Sequence, residues 1–338
     1  MDIQKEKLLT EYNTFHIPAT AQWFITYDSL EELKTLLRDE YFQECRSLSV
    51  GEGSNLLFLA NFHGIILHSN IRSIEEIERD DEQIVLRVGA GVNWDDFVAY
   101  AVEHGYYGIE NLSLIPGQVG SSAIQNIGAY GTEACQYIRA VHTIHRRTGE
   151  ERVFDVNECN YRYRHSIFKE PEYQDYIVWA VDYALHLKPI LNLTYRELAN
   201  KYGTDKEQPS LADVRQTVID IRRAKLPDPE EIGNAGSFFI NPIITGEAFV
   251  QLNKEYPDIP HYPMPDGRVK VPAGWLIEQC GLKGYKTDKA GVYEKQALVL
   301  VNLGEATGTD IANLAAFIQK SVAEKFGITI QPEVKYIS

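Results

Sequence analysis

The chain has 338 residues and carries 33 Lys+Arg against 48 Asp+Glu, a formal charge of −15. At roughly 150 residues per domain this predicts about two domains, with a core large enough to stand without disulfide staples. A hydrophobic content of 44% excludes a disordered or fibrous chain, and the acidic balance speaks against duplex nucleic acid as a partner.

In chain order, Ser29-Leu30-Glu31-Glu32 predicts a capping box opening a helix with Leu30, Leu33 and Leu37 on one face. RSLSV (46–50), IILH (65–68) and EQIVLRVGA (82–90) predict strands. Asn93 predicts the cap of a helix whose apolar face is Trp94, Phe97, Val98 and Ala101. Asp95 and Asp96 suit its first turn and Gly105 its end. AVHTIH (140–145) and YIVWAVDYALHL (176–187) predict further strands. After the polar stretch Asn200–Ser210, Leu211, Val214, Val218 and Ile221 predict a helix that must end before Pro227, with a domain boundary nearby. The C-terminal third shows one clear helix, with Ile311, Leu314, Ala315, Ile318 and Val322 aligned and Gly327 closing it. A strand, ITIQPEVKYI, follows. The whole reads as α+β or α/β, without repeats and without a long parallel βαβ series.

No run of 18 apolar residues occurs, and MDIQKEKLLTEYN lacks the apolar core of a signal peptide. Cys45, Cys135, Cys159 and Cys280 are isolated, with no CxxC pair. The expectation is a reduced, cytoplasmic protein. The nine histidines offer no metal constellation, so no metal site is expected.

Two Gly-x-Gly segments follow predicted strands: Gly51-Glu52-Gly53-Ser54-Asn55-Leu56 and Gly89-Ala90-Gly91-Val92-Asn93-Trp94. Neither has the third glycine of a dinucleotide fingerprint. Either can be a plain turn, but consecutive N–H groups with Ser54 and Asn55 can also cradle a diphosphate. The stretch 115–131, IPGQVGSSAIQNIGAYG, is long, nearly uncharged and rich in small residues arranged as a row of turns. It suits close packing on a flat polar ligand.

Three further segments carry chemistry. Residues 159–169, CNYRYRHSIFK, are aromatic and basic, either an anion site or a solvated strand edge. Residues 233–242, GNAGSFFINP, place one hydroxyl beside two phenylalanines, either a turn over core or a proton relay. No Gly-x-Ser-x-Gly elbow and no P-loop is present.

Taken in order, NTF (13–15), VGEGSNLLF (50–58), IPGQVGSSAIQNIGAYG, YRHSIFK (163–169), KLPDP (225–229), NAGSFFINP (234–242), AGWLIEQCGLKG (273–284) and QPEV (331–334) resemble the UDP-N-acetylenolpyruvoylglucosamine reductase family, also called UDP-N-acetylmuramate dehydrogenase. The likeness spans nearly the whole chain. It implies an α+β fold: a two-part FAD-binding domain of the vanillyl-alcohol-oxidase type, 1–73 (joined by strand 328–338) and 74–222, plus a smaller substrate domain at 223–327. It further implies a cytoplasmic, monomeric flavoenzyme of peptidoglycan precursor synthesis, and so of cell-wall biogenesis, cell shape and division. NADPH would reduce FAD, and the hydride would pass to the enolpyruvyl double bond of UDP-N-acetylglucosamine-enolpyruvate, giving UDP-N-acetylmuramate.

The resemblance assigns roles residue by residue. Ser237 matches the serine that protonates the carbon next to the carboxylate. Arg164 and Glu333 match the pair that stabilises the enol-like intermediate, where negative charge must be held. Gly51, Glu52, Gly53, Ser54, Asn55, Leu56, Pro116, Gly117, Gly120, Ser121, Ser122, Asn126, Ile127 and Gly128 fall in the FAD segments. Tyr195, Lys225 and Asn241 match positions that hold the UDP diphosphate. Tyr163, Lys270 and Gln296 are further substrate positions, and Lys225 and Lys270 would supply the basic pocket that an acidic surface otherwise denies. Tyr195 marks the subgroup with a tyrosine-bearing loop.

The chain departs from the family pattern at His165, where many members have Asp, at Lys335, where close relatives have Arg, and at Asp288 and Lys289, where some have two glycines. These bear on substrate contacts near 285–293 and 335. Two other functions compete: a sugar or alcohol oxidase of the same fold group, and a non-catalytic nucleotide-sugar binding protein.

Overall fold

Period-two alternation sorts the strands into sheets. In the computed structural model, which describes residues 1–203 and 208–338, Ile84, Leu86 and Val88 point to one face of strand Gln83–Gly89, and Val181, Tyr183 and Leu185 to the same face of Tyr176–His186. Of the polar stretch Asn200–Ser210, residues 204–207 lie outside the described residues. These two strands lie in a five-stranded antiparallel sheet ordered Glu151–Asp155, Ile138–His145, Tyr176–His186, Gln83–Gly89, Ile74–Arg79. Helices Trp94–Glu103 and Val119–Gln125 cover that face with Trp94, Phe97, Val98, Ala101, Val119 and Ala123.

The opposite face of the sheet carries charge. Arg87 donates two parallel hydrogen bonds to Asp182, at 2.8 and 2.9 Å, and the other Asp182 contact is His142 Nε2 at 2.8 Å. A second sheet orders Asp2–Leu8, Thr20–Tyr27, Phe62–Ser69 and Ser47–Ser49. Helix Leu30–Leu37 packs there, in a core of Ile25, Leu33, Ile65 and Leu67 that also takes in Ile144 and Ile177 of the five-stranded sheet.

The described chain divides into two compact units. The first comprises Met1–Lys7, Ala21–Glu52 and His63–Ala224, the second Leu8–Thr20, Gly53–Phe62 and Lys225–Ser338. The first unit thus takes in most of 1–73 together with 74–222, and its two sheets and two cores remain distinguishable. In the second unit, Asn234–Ser237, Val299–Asn302 and Ala290–Val292 form an antiparallel sheet, and strand Lys335–Ile337 runs parallel to Leu56–Phe58.

Several expectations are corrected. The capping box at Ser29 forms by half: Ser29 accepts from Glu32 N–H, but the Glu32 carboxylate turns to Asp28 N–H and the N-terminal ammonium. The 115–131 stretch is not all turns. Val119–Gln125 is helical, because Val119 and Ala123 pack into the core while Gln118 and Ser121 cap each other. The C-terminal third holds more than one helix: Gly246–Glu255, capped by Thr245, and Ala273–Gln279 accompany the expected one, which spans Gly308–Phe326 and ends at Gly327 with φ 66°. The last strand is confined to Lys335–Ile337, because the residues before it pair elsewhere: Pro332 forms an antiparallel bridge with Phe239.

Candidate active site

In the first unit, Glu52 ties two glycine segments together. Its carboxylate accepts the Gly117 N–H at 2.6 Å and the Asn93 carboxamide at 2.5 Å. The Gly89–Asn93 segment, readable from sequence only as a turn or cradle, is the shelf beneath the 115–131 stretch. Val119 N–H donates to Val92 O, Gly120 N–H to Ala90 O, and Trp94 N–H to Gly117 O. A Cβ on Gly120 would lie 2.9 Å from Ala90 Cβ, so the close approach itself demands glycine.

Not every serine and asparagine of this stretch faces outward. Ser122 is 1% exposed: its N–H donates to Gln118 O, and its hydroxyl sits 2.7 Å from Val119 O and 2.6 Å from Tyr183 OH. Ser121 is engaged with Gln118. Asn126 is fully buried in a left-handed conformation (φ 46°); its side chain accepts Cys135 N–H and donates to Glu133 and to Arg162 O. These residues shape the segment from behind.

That shaping positions Arg164. The Arg164 guanidinium donates to Gly128 O at 2.5 Å and to Asn126 O at 3.4 Å, and lies 5.3 Å from the Tyr163 ring. Arg164 itself has φ 56°, at the tip of a tight turn in which Arg162 and His165 exchange backbone hydrogen bonds. Lys169 Nζ donates to Arg164 O, and His165 pairs with Glu170 at 3.1 Å. A non-glycine held left-handed at a basic side chain is the kind of strain that collects at functional sites.

Tyr195 stands just before helix Arg196–Tyr202 and presents its ring edge-on to Tyr130, 4.9 Å away. The root of this segment is clasped. Asn111, fully buried, donates to Tyr130 O and Asn192 O, and Asn192 donates to Gly131 O. Neither asparagine stood out in the sequence; what marks Asn111 is its burial, which only the fold shows. Burial raises the Tyr130 phenol pKa.

In the second unit, Ser237 is exposed at the end of its strand, just before Phe238 and Phe239, which are 0% and 1% exposed. The strand is irregular there: Gly236 is left-handed (φ 62°), and the buried Asn234 side chain accepts its N–H. The structure brings three predicted segments together around this serine. Glu333 N–H donates to Phe238 O at 2.8 Å, Asn55 Nδ2 donates to Glu333 O at 3.3 Å, and Lys335 N–H donates to Asn55 O at 3.0 Å. Gly53 precedes this point with φ 66°, and a Cβ there would come within 2.0 Å of Tyr12 O.

The other substrate candidates of this unit are placed by the same local logic. Asn241 Oδ1 accepts the Ala273 N–H at the start of helix Ala273–Gln279. Lys270 Nζ lies 5.5 Å from the Tyr262 ring, a neighbour that sequence reasoning did not single out. Gln296 Oε1 accepts Leu298 N–H at 3.3 Å. Lys225 ends helix Leu211–Lys225, just before the buried Pro227. The 287–290 turn, which contains Asp288 and Lys289, is closed by Thr287 and Ala290. Among the described residues, no group of three or more His, Cys, Asp or Glu is arranged to hold a metal ion, and no helix is long and apolar enough to cross a membrane.

Residues 228–337 match the family of UDP-N-acetylenolpyruvoylglucosamine reductase C-terminal domains, and residues 21–154 match the FAD binding domain family. A UDP-N-acetylenolpyruvoylglucosamine reductase of Porphyromonas gingivalis is 59% identical over 337 residues, covering 100% of both chains. One of Bacteroides fragilis is 48% identical, covering 99% of each. The crystal structure of UDP-N-acetylenolpyruvylglucosamine reductase from Thermus caldophilus superposes with a TM-score of 0.70 at 24% identity, over 100% of both chains. A VAO-type flavoprotein from Myceliophthora thermophila superposes with a TM-score of 0.50 at 12% identity, over 91% of this chain and 70% of that one. These two likenesses bear on the fold, and they agree with the α+β, vanillyl-alcohol-oxidase-type architecture.

Proposed function

The chain belongs to the UDP-N-acetylenolpyruvoylglucosamine reductase family, and from this premise we propose that it reduces UDP-N-acetylglucosamine-enolpyruvate to UDP-N-acetylmuramate for peptidoglycan synthesis, with FAD as cofactor and NADPH as reductant. The observation that carries the reading is full-length identity of 59% to a reductase of that name, over a chain whose Ser237 and Glu333 segments are bonded to each other. The same reading makes the protein a cytoplasmic monomer, which sedimentation and cell fractionation test directly.

The residues present fit FAD. Gly51, Gly53, Gly120 and Gly128 each sit where a Cβ would strike a neighbour within 3.0 Å, so these stretches keep bare backbone that a flat cofactor and its diphosphate can approach. Gly51, Glu52, Gly53, Ser54, Asn55, Leu56, Pro116, Gly117, Gly120, Ser121, Asn126, Ile127 and Gly128 would hold it. Ser122 would act from behind. When bound, FAD supplies the hydride transfer from NADPH to the enolpyruvyl carbon.

The protein's part is charge and proton placement. Arg164, permanently charged and held by two backbone carbonyls, binds the enolpyruvyl carboxylate, on which negative charge grows during reduction. Ser237 delivers the proton to the carbon beside that carboxylate. A serine hydroxyl is a weak acid, so the step needs a hydrogen-bond partner that refills it. Glu333 supports the enol form through that network. Tyr163, Tyr195, Lys225, Asn241, Lys270 and Gln296 bind the nucleotide sugar, the two lysines neutralising its diphosphate. As a functional division, we assign 1–73 with 328–338 and 74–222 to the flavin and 223–327 to the sugar nucleotide.

Anaerobic mixing tests the reading. NADPH should bleach the flavin band of the yellow protein, and the enolpyruvyl nucleotide sugar should restore it with stoichiometric product. A colourless protein, or reoxidation by oxygen alone, would refute it, the latter in favour of an oxidase.

A further inference from the structure

Leu114 stands immediately before the Ile115-Pro116-Gly117 turn, and it is left-handed, with φ 58°. A branched side chain in that region costs about 1–3 kcal/mol and persists only where its surroundings over-determine it. Both ends of the residue are held. Its N–H donates to Asp95 Oδ1 at 2.5 Å, and its carbonyl accepts Arg222 Nε at 3.1 Å. Asp95 in turn accepts both Nη groups of Arg215, at 2.7 and 3.0 Å. From sequence, Asp95 was only a favourable charge in the first turn of a helix. In the fold, one carboxylate reaches a loop 19 residues on and a helix 120 residues on.

We propose that Asp95 is a positioning residue for the cofactor loop: it holds Leu114 left-handed and so sets the path on which Ile115, Pro116 and Gly117 leave the clamp. This rests on the reading that 116–128 lies against FAD. The clamp and the Glu52 brace secure the same short turn from its two ends, since Gly117 N–H goes to Glu52 and Gly117 O accepts Trp94 N–H. Trp94 and Asp95 are consecutive, so one helix N-terminus registers both sides of the turn. Arg222, bonded to Leu114 O, lies on the same helix as Arg215, two turns further on, so this helix is registered to the loop as well. Burial alone would push the Asp95 carboxyl upward, but Arg215, the Leu114 N–H and Arg222 together hold it below the ordinary carboxylate range, as a permanent acceptor needs.

The test is a rescue. FAD affinity is measured by titrating apoprotein, with circular dichroism confirming folding. D95A, which removes the acceptor of the Leu114 N–H, should weaken FAD binding about tenfold. L114G, which adopts the left-handed conformation without strain, should bind within about threefold of the parent. The D95A/L114G protein should recover most of the loss, because glycine no longer needs the clamp. R215Q removes the ion pair but leaves the Asp95–Leu114 bond, and should lose clearly less than D95A. The proposal is overturned if D95A binds FAD normally, if L114G does not restore it, or if R215Q matches D95A, which would assign the effect to helix anchoring. Should D95A alone fail to fold, the double variant decides: folding with FAD bound supports the clamp, and failure to do so overturns it. A parent protein that takes up no FAD would refute the flavoenzyme reading instead.

Discussion

The N–H of Glu333 donates to the carbonyl of Phe238 at 2.8 Å, which fixes the glutamate to the backbone directly after Ser237. Ile240 N–H donates to Gln331 O on the same pair of segments, so two bonds hold the register. The proposed proton donor and the proposed enol-supporting carboxylate therefore keep a constant backbone spacing, independent of side-chain rotamer.

This spacing makes the Ser237 prediction sharp. In S237A the buried Phe238 and Phe239 still anchor the segment, so folding and flavin content should match the parent. NADPH should bleach the flavin at the parental rate. Reoxidation by the enolpyruvyl substrate should fall by about 10²–10⁴-fold, the range for losing a general acid. Stopped-flow absorbance separates the two halves. Parental reoxidation would remove Ser237 from the proton step.

Glu52 offers a different kind of test, because its carboxylate serves the loop and does not carry redox chemistry. E52A deletes the acceptor of Gly117 N–H and of Asn93 Nδ2. Hydrogen bonds to a charged group contribute about 1.5–3 kcal/mol each, so the loss should weaken FAD binding by about tenfold or more. Unlike the Asp95 variant, E52A should gain nothing from L114G, since its defect is at the far end of the turn. Ultrafiltration with flavin fluorescence reads the free cofactor. Retention equal to the parent would show that the brace is dispensable.

These cases show which parts of the site were legible in sequence. Local signals survived folding: Asn93 caps its helix by accepting Asp96 N–H, and the helix before Pro227 stops at Lys225. The chemistry-bearing segments could be picked out because small, uncharged or strained positions have few other uses. What could not be read was any pairing set by distant register. Arg87 meets Asp182 across 95 residues because they are partners in adjacent antiparallel strands, and nothing at either position advertises the other. Asp95 and Arg215 are the same kind of case. The helix in 119–125 was hidden for another reason: its small residues have weak intrinsic propensity, and packing on the sheet decides their conformation.

The Arg87–Asp182–His142 group predicts a pH dependence of stability. Burial raises the Asp182 pKa, but the bonds from His142 and Arg87 outweigh it, and the folded pKa lies below the ordinary value. A depressed carboxyl contributes stability that is fully present above its unfolded pKa of about 3.9 and is lost as pH falls through the folded value. The parent Tm should therefore decline between about pH 5 and the acid limit of folding. D182N should be less stable at neutral pH by about 3 kcal/mol, the lower end for a broken buried pair because Arg87 keeps partial solvent access. Its decline in acid should be shallower. Circular dichroism melts at several pH values check both, and a D182N profile parallel to the parent would exclude this group as the source.

The asparagine clasp predicts a split between substrate binding and flavin reduction. Asn192 donates to Gly131 O at 2.9 Å and to Thr132 Oγ1 at 3.3 Å, and its own carbonyl is held by Asn111 at 2.8 Å. Three residues later stands Tyr195, seated edge-on against Tyr130. In N192A the backbone bond from Asn111 survives, so the segment stays tethered but loses its side-chain bonds to Gly131 and Thr132. Bonds of this kind contribute about 1 kcal/mol each, so KM for the enolpyruvyl nucleotide sugar should rise about three- to tenfold. Reduction by NADPH, measured without the sugar nucleotide, should stay at the parental rate. N111A frees both Tyr130 O and Asn192 O from a fully buried partner, so it should raise KM further and also lower Tm. If both variants keep the parental KM, the clasp has no part in placing Tyr195, and the diphosphate role assigned to that tyrosine loses its structural support.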